Sequence, residues 1–380
     1  MHLLLSKLGC TGTWNACTAH IKDQTRFQAY YSVFNSSTMI TFSNPWIGVI
    51  IPCIIIFTLS TFSAIYILPH HVSNNELTLF ICASAMVWIS YIIAIIVPPG
   101  SPPKNYTPPE NGMKMYCLKC KAYKPERTHH SKALGVCVLK MDHHCPWTNN
   151  TVGHRNMPHF MRFLVWVDMT VGYLFIRLCI RIMKLWRDKH LPSYLFDKTE
   201  VILSIVFLPA SFFVLFTVGI LTIRVFVNMC NGITQIESWE CDRIESLVRR
   251  KIVTEERAEF PYDIELFTNI FNAVGSPLTF WLPWGQPRGD GITFEKNESG
   301  YTEEGEPLCW PPDHVDYDPE NVPLQNLKDG LRRRGEEPDC LLGGIGAGKM
   351  QAENDFYKRD HWRNVEGEKL ADFGVEHTDI

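Results

Sequence analysis

Three stretches without a single charged side chain constrain this sequence most: residues 46–68, 77–97 and 201–223, of 23, 21 and 23 residues. At about 1.5 Å per helical residue, each is long enough to cross about 30 Å of hydrocarbon. A fourth apolar stretch, residues 160–183, carries Arg162, Asp168, Arg177 and Arg181. Arg162 and Arg181, near its ends, are expected to snorkel, and Asp168, set deeper, to face the bundle or pair with a basic neighbour. Four transmembrane helices result. The mean hydropathy of -0.05 hides them, because long polar segments offset the apolar ones.

The linker between the first two spans, residues 69–75, holds no Lys or Arg, whereas residues 98–159 hold nine against three acids. The positive-inside rule therefore puts residues 98–159 in the cytosol, and both termini with them. Residues 184–200, with four basic and three acidic side chains, fall on the far side and are a small mark against that orientation. A formal net charge of -4 gives no reason to expect a nucleic-acid partner. The 13 cysteines do not read as a disulfide framework: the chain is long, and Cys53, Cys82 and Cys179 lie in apolar stretches. Residues 1–44 contain no clear signal pattern, and Met39 is a candidate second start. The sequons at Asn35, Asn105, Asn149 and Asn297 all fall on the cytosolic side and should be unmodified.

Within the 98–159 loop, Asp142, His143, His144 and Cys145 stand in succession, followed by Pro146 and Trp147. On an extended backbone His143 and Cys145 project to the same side. An imidazole there can take the thiol proton while Asp142 fixes its tautomer, which is the arrangement of an activated nucleophile. Upstream, Cys117 and Cys120, with His129 or His130 and with Cys137, supply a Cys3His set suited to a closed zinc site. Spacing alone does not choose between the two histidines.

Taken in order, Cys117-x2-Cys120, Lys124-Pro, Arg127, His130, Cys137, the Asp-His-His-Cys-Pro-Trp run and Gly153-x2-Asn156-x3-Phe160 resemble the DHHC protein S-acyltransferases. Lys-Pro-Glu-Arg127, Ile236-Glu-Ser-Trp239 and Pro311-Pro-Asp313 resemble the fungal subfamily of the endoplasmic reticulum. The resemblance implies an all-α polytopic membrane protein, with a cytosolic zinc-binding cysteine-rich domain between the second and third of four transmembrane helices. It assigns one zinc to Cys117, Cys120, His130 and Cys137. A second family site would use His144 and three thiols, at positions held here by Ser131, Leu134 and Thr151, so that site is expected to be lost, with Leu134 suited to an apolar plug. Thr234, Glu237, Asn269 and Gly275 match family positions expected to support the active-site loop.

By the same resemblance, Cys145 takes a long acyl chain from palmitoyl-CoA as a thioester, His143 is the base and Asp142 supports it. Cytosol-facing cysteines of membrane-associated proteins then accept the chain, giving ping-pong kinetics in the endoplasmic reticulum membrane. Lys124, Arg127 and His129 are expected to hold the CoA phosphates, although each alone reads equally well as solvated charge. The rival reading is a membrane-anchored zinc-binding interaction module that has lost catalysis. The divisions expected are an N-terminal extension (1–44), a first transmembrane pair (45–97), the cysteine-rich domain (98–159), a second pair (160–227), a segment packing on the core (228–285) and a polar, largely disordered tail (286–380).

Overall fold

The computed structural model describes residues 46–312, apart from 110–114, 118, 193, 195, 251, 252, 303, 304, 306 and 309, and adds Val375–Glu376. Among the described residues, four helices are long and apolar enough to cross a membrane: Trp46–His70, Asn74–Ile96, Met157–Arg187 and Lys198–Cys230. The first begins as α1 (Trp46–Phe57) and widens into a π-helical stretch, Thr58–Ile67. In that transition the Thr58 and Ser60 hydroxyls return to the Ile54 and Ile56 carbonyls, which keeps polar groups satisfied where lipid offers no partners.

The second span, α2 (Asn74–Ile96), opens on a capping box in which Ser73 and Glu76 exchange hydrogen bonds. The fourth, α4 (Lys198–Cys230), is capped by Asp197, which accepts from the Thr199 and Glu200 N–H groups. The third, α3 (Met157–Arg187), packs against both α2 and α4.

At the end remote from the loop between α2 and α3, buried Glu200 accepts two hydrogen bonds from Arg181, at 2.7 and 2.6 Å. His71 and Ser204 reach the same carboxylate at 3.0 and 3.1 Å. Arg181 is thus paired rather than snorkelling, because Glu200 of the next span supplies its counter-charge. Among the described residues Asp168 meets no basic group: the Thr222 hydroxyl of α4 donates to it at 2.5 Å. Arg162 is also buried, its guanidinium donating to the Phe280 carbonyl.

The α2–α3 loop departs from an all-helical fold. It is built of three antiparallel hairpins: β1 (Met115–Cys117) with β2 (Ala122–Lys124), β3 (His129–Ser131) with β4 (Val136–Val138), and β5 (His143–Cys145) with β6 (Asn150–Val152). Three-residue strands are too short for an alternating hydrophobic pattern to announce them. Val375–Glu376 adds to the free edge of β3.

After α4, Thr234 and Glu237 form a capping box that starts α5 (Gln235–Arg249). Its Ile236, Trp239 and Ile244 are buried, the first two against Val138 and Met141. The helix α6 (Glu255–Ala258) follows, then α7 (Leu266–Val274), whose Ala273 and Val274 join the core under Cys145.

The expected disordered tail is corrected over its first part. Lys296 Nζ lies 2.9 Å from Glu126, Asn297 donates to the Phe260 and Asp263 carbonyls at 3.1 Å, and Trp310 packs edge-on to Phe260. These polar side chains bind backbone carbonyls and charges of other elements, a source of order that low hydropathy does not register. The rest of the tail, apart from Val375–Glu376, lies outside the described residues, as do residues 1–44.

Candidate active site and metal centre

The metal-ligand set assembles at the first two hairpins. Cys117 ends β1, and the turn after it brings the Cys120 N–H to 3.3 Å from the Cys117 sulfur. His130 and Cys137 are cross-strand partners in the β3–β4 register, which settles the choice left open between the histidines. The ligand atoms of Cys117, Cys120, His130 and Cys137 all lie within 4.8 Å of one another. The His130 Nδ1 is 3.2 Å from the Cys120 sulfur and 3.6 Å from that of Cys117, and the Cys120 and Cys137 sulfurs are 3.6 Å apart. A tetrahedral zinc with Zn–S near 2.3 Å spaces its ligands about 3.8 Å apart, so the set fits. Four protein ligands would close such a site, and an ion there would hold the hairpins together.

On the third hairpin, β5 alternates as extended backbone must. His143 and Cys145 share one face, and His144 points to the other. His143 Nδ1 lies 2.7 Å from Asp142 Oδ2, which leaves the ring's other nitrogen as the one available to Cys145 on the same face of β5. Burial opposes protonation of His143, but the hydrogen bonds to Asp142 and Cys145 outweigh it and raise its proton affinity. For Cys145 burial works against the thiolate, and the His143 hydrogen bond and charge overcome it, lowering the thiol's affinity for its proton. The two shifts run in the directions that favour a proton on His143 over one on Cys145. Asp142 is fixed in turn: its Oδ1 accepts the Gln235 N–H at 2.8 Å, from the first turn of α5.

Cys145 is 4% exposed and sits in an apolar cluster with Phe160, Leu164, Val225, Met229 and Val274. The thiol therefore lies where the hairpin meets the ends of α3 and α4. A cavity of about 20 Å³, room for one water, is lined by Lys140, Asp142, His154, Asn228 and Thr234 behind it.

On the opposite face of β5, the positions where the resemblance put a second metal hold a chain of hydrogen bonds. His144 Nδ1 is 3.1 Å from the Thr151 hydroxyl, which is 2.8 Å from that of Ser131. Ser131 and Thr151 are fully buried, so this chain links β3 to β5 without sulfur. Leu134 is no plug: its side chain is exposed, and it contributes its N–H to the Ser131 hydroxyl.

The expected phosphate patch is not assembled as an open surface. Lys124 and Arg127 are buried and His129 is half-buried. The Arg127 guanidinium donates to both oxygens of Glu237 at 2.5 Å and to the Gly232 carbonyl at 2.7 Å, with Tyr262 against its face. An arginine so engaged has no N–H fork left for a phosphate. Three residues that hold the hairpin were passed over in the sequence: Tyr91, Asn150 and Thr148. Asn150 donates to the Ala94 and Val97 carbonyls at the end of α2, at 3.0 and 2.8 Å. The only sequence cue to Thr148 is its place three residues after Cys145, across a Pro-Trp turn.

Four membrane-length helices, a closed Cys3His cluster and a paired Asp–His–Cys constellation define a class, and sequence comparison bears it out. Residues 110–242 match the DHHC palmitoyltransferase family. The chain belongs to that family and is a protein S-acyltransferase of the membrane. Among its relatives, it is 35% identical to palmitoyltransferase PFA4 of Candida glabrata, over 87% of this chain and 97% of that one. It is 36% identical to PFA4 of Kluyveromyces lactis, over 89% and 98% of the two chains. The same identity holds to PFA4 of Saccharomyces cerevisiae, over 87% and 97%.

Proposed function

We propose that the chain moves a long acyl chain from acyl-CoA to protein cysteines in two steps, with Cys145 as the carrier. In the first, the Cys145 thiolate attacks the thioester carbon, a new C–S bond forms, the bond to the CoA sulfur breaks, and the proton held on His143 passes to the departing CoA thiolate. In the second, the thiol of a target protein gives its proton to His143 and displaces the acyl chain from Cys145. Asp142 holds the Nδ1–H throughout, so that the other ring nitrogen faces the sulfur. Zinc, held by Cys117, Cys120, His130 and Cys137, would supply rigidity to the hairpins.

The observation that carries this reading is the His143–Cys145 couple on one face of β5, set against the apolar ends of α3 and α4. CoA is polar and anionic and stays in water, whereas a fatty chain gains about 0.8 kcal/mol per buried CH2. A thiol at that junction serves both ends of the donor. The excess of Lys and Arg in the α2–α3 loop supports a cytosolic hairpin domain and cytosolic targets, and the resemblance of Ile236-Glu-Ser-Trp239 and Pro311-Pro-Asp313 to the fungal subfamily supports residence in the endoplasmic reticulum membrane.

The test is labelling of the purified protein by an alkyne-bearing palmitoyl-CoA. Hydroxylamine-sensitive label on wild type, absent from Cys145→Ser, is the expected result. Label that survives Cys145→Ser removes Cys145 as the carrier, and wild type that never labels favours the interaction module.

A further inference from the structure

One edge of β3 pairs with β4, and the other takes Val375–Glu376 as a third, antiparallel strand. Val375 stands opposite Ser131 and Glu376 opposite His130. Facing residues in an antiparallel ladder alternate between exchanging two hydrogen bonds and exchanging none, so two successive pairs amount to one hydrogen-bonded pair. The backbone makes this contact, and any extended chain carries the same groups. A hold of that size is slight enough to be displaced.

The edge stands close to Cys145. The hydroxyl of Ser131, which ends β3, is 2.8 Å from that of Thr151, and Thr151 lies opposite His144 on β5, the residue before the thiol. Ser131 and Thr151 are fully buried, so a chain laid along β3 rests on the same packed unit that carries Cys145. Beyond Ser131 the strand turns back, with the Gly135 N–H donating to the Ser131 carbonyl at 2.8 Å. Leu134 and Val136 are exposed at that turn, and they offer a docked strand apolar surface to bury in addition to the ladder.

We infer that the outer edge of β3 docks an extended stretch of a client protein, next to its acceptor cysteine, as an added strand, and that Val375–Glu376 is a built-in competitor for that edge. The client role rests on the reading of Cys145 as acyl carrier. The docked stretch has to be extended, because a helix spends its N–H and C=O groups on itself. Backbone pairing asks little of sequence, so the edge selects for the absence of proline and for an apolar residue to meet Leu134 or Val136. The tethered segment competes at an effective concentration set by its linker, and a client held at the same membrane can match it.

The double variant Val375→Pro, Glu376→Pro removes both N–H groups of the competitor while leaving the hairpins and spans as they are. The sample is the full-length protein in detergent, and the acceptor is a short synthetic peptide with one cysteine flanked by valines. A second peptide carries proline at alternate valine positions. Amide exchange over residues 129–131, followed by mass spectrometry, should be faster in the double variant. Saturating valine peptide should slow it again, and the proline peptide should not. The KM for acyl transfer to the valine peptide should fall roughly tenfold in the variant, the weight of one lost pair of hydrogen bonds, with self-acylation and zinc content unchanged. Exchange that is equal in wild type and variant overturns the inference. So does faster exchange with an unmoved KM, or a proline peptide that is acylated as well as the valine peptide. Wild-type protein that never self-acylates, but whose β3 is still protected by the valine peptide in the double variant, removes the acyl-carrier reading and leaves the docking edge standing.

Discussion

Arg127 and Glu237, 110 positions apart, meet as a fork on a carboxylate, with Nε on Oε1 and Nη2 on Oε2. Both side chains are sealed from solvent, at 4% and 5% exposure. This pair joins the cysteine-rich hairpins to the start of α5, and the N–H of Gln235, the first residue of that helix, holds Asp142.

Breaking one side of the pair should therefore cost more than removing both. Glu237→Ala leaves a buried guanidinium without its counter-charge, a loss of about 3–5 kcal/mol. A double variant, Arg127→Met with Glu237→Leu, should recover much of that loss. Thermal unfolding in detergent checks this, and strictly additive losses would contradict it.

The metal set predicts one zinc per chain by elemental analysis of purified protein. Cys137→Ser should remove it, whereas His129→Ala should leave it in place, because only His130 stands opposite Cys137. Putting cysteine at Ser131, Leu134 and Thr151 together should raise the count to two, with His144 as the fourth ligand. A count that stays at one would mean that the Ser131–Thr151 face cannot open to an ion.

Much of this was legible from residue types alone. The spans were, because lipid tolerates so few sequences, and so was the metal quartet, because its ligands lie within 21 positions of one another. The fate of Arg127 was not. A cation in a basic loop reads as solvated or phosphate-binding, and its partner lies beyond two membrane crossings. Lys296 and Asn297 escaped for a related reason: each binds a specific distant carboxylate or carbonyl, and composition records only their polarity.

Asp142→Asn should shift the pH dependence of self-acylation. Burial opposes the charged forms of both His143 and Cys145, and the Asp142 carboxylate is what lifts the imidazole's proton affinity back up. Without it the thiolate persists only at higher pH, so the acid limb of the profile should move up by about one pH unit. Initial rates of label incorporation measure this. An unmoved limb would show that Asp142 orients the ring without supporting its charge.

Lys140 gives a stability test of opposite chemistry. Burial, then the nearby Arg127 charge, pushes its amine down to about 7, against roughly 10.4 in an unfolded chain. Between these values the unfolded state binds a proton that the folded state lacks, so stability rises with pH there and is lost as pH falls through 7. Lys140→Met should raise the unfolding temperature relative to wild type most at pH 6, with the gap narrowing by pH 9. A gap of equal size at both values would sink the assignment.

The Glu200–Arg181–His71 cluster fastens the bundle at the end away from the thiol. On the proposed acyl transfer, a fatty tail arriving beside Cys145 would wedge the helices apart from the thiol end while the other end stays riveted. The spans would splay like the blades of a fan about a fixed pin, set at the opposite end of the bundle from the proposed chemistry.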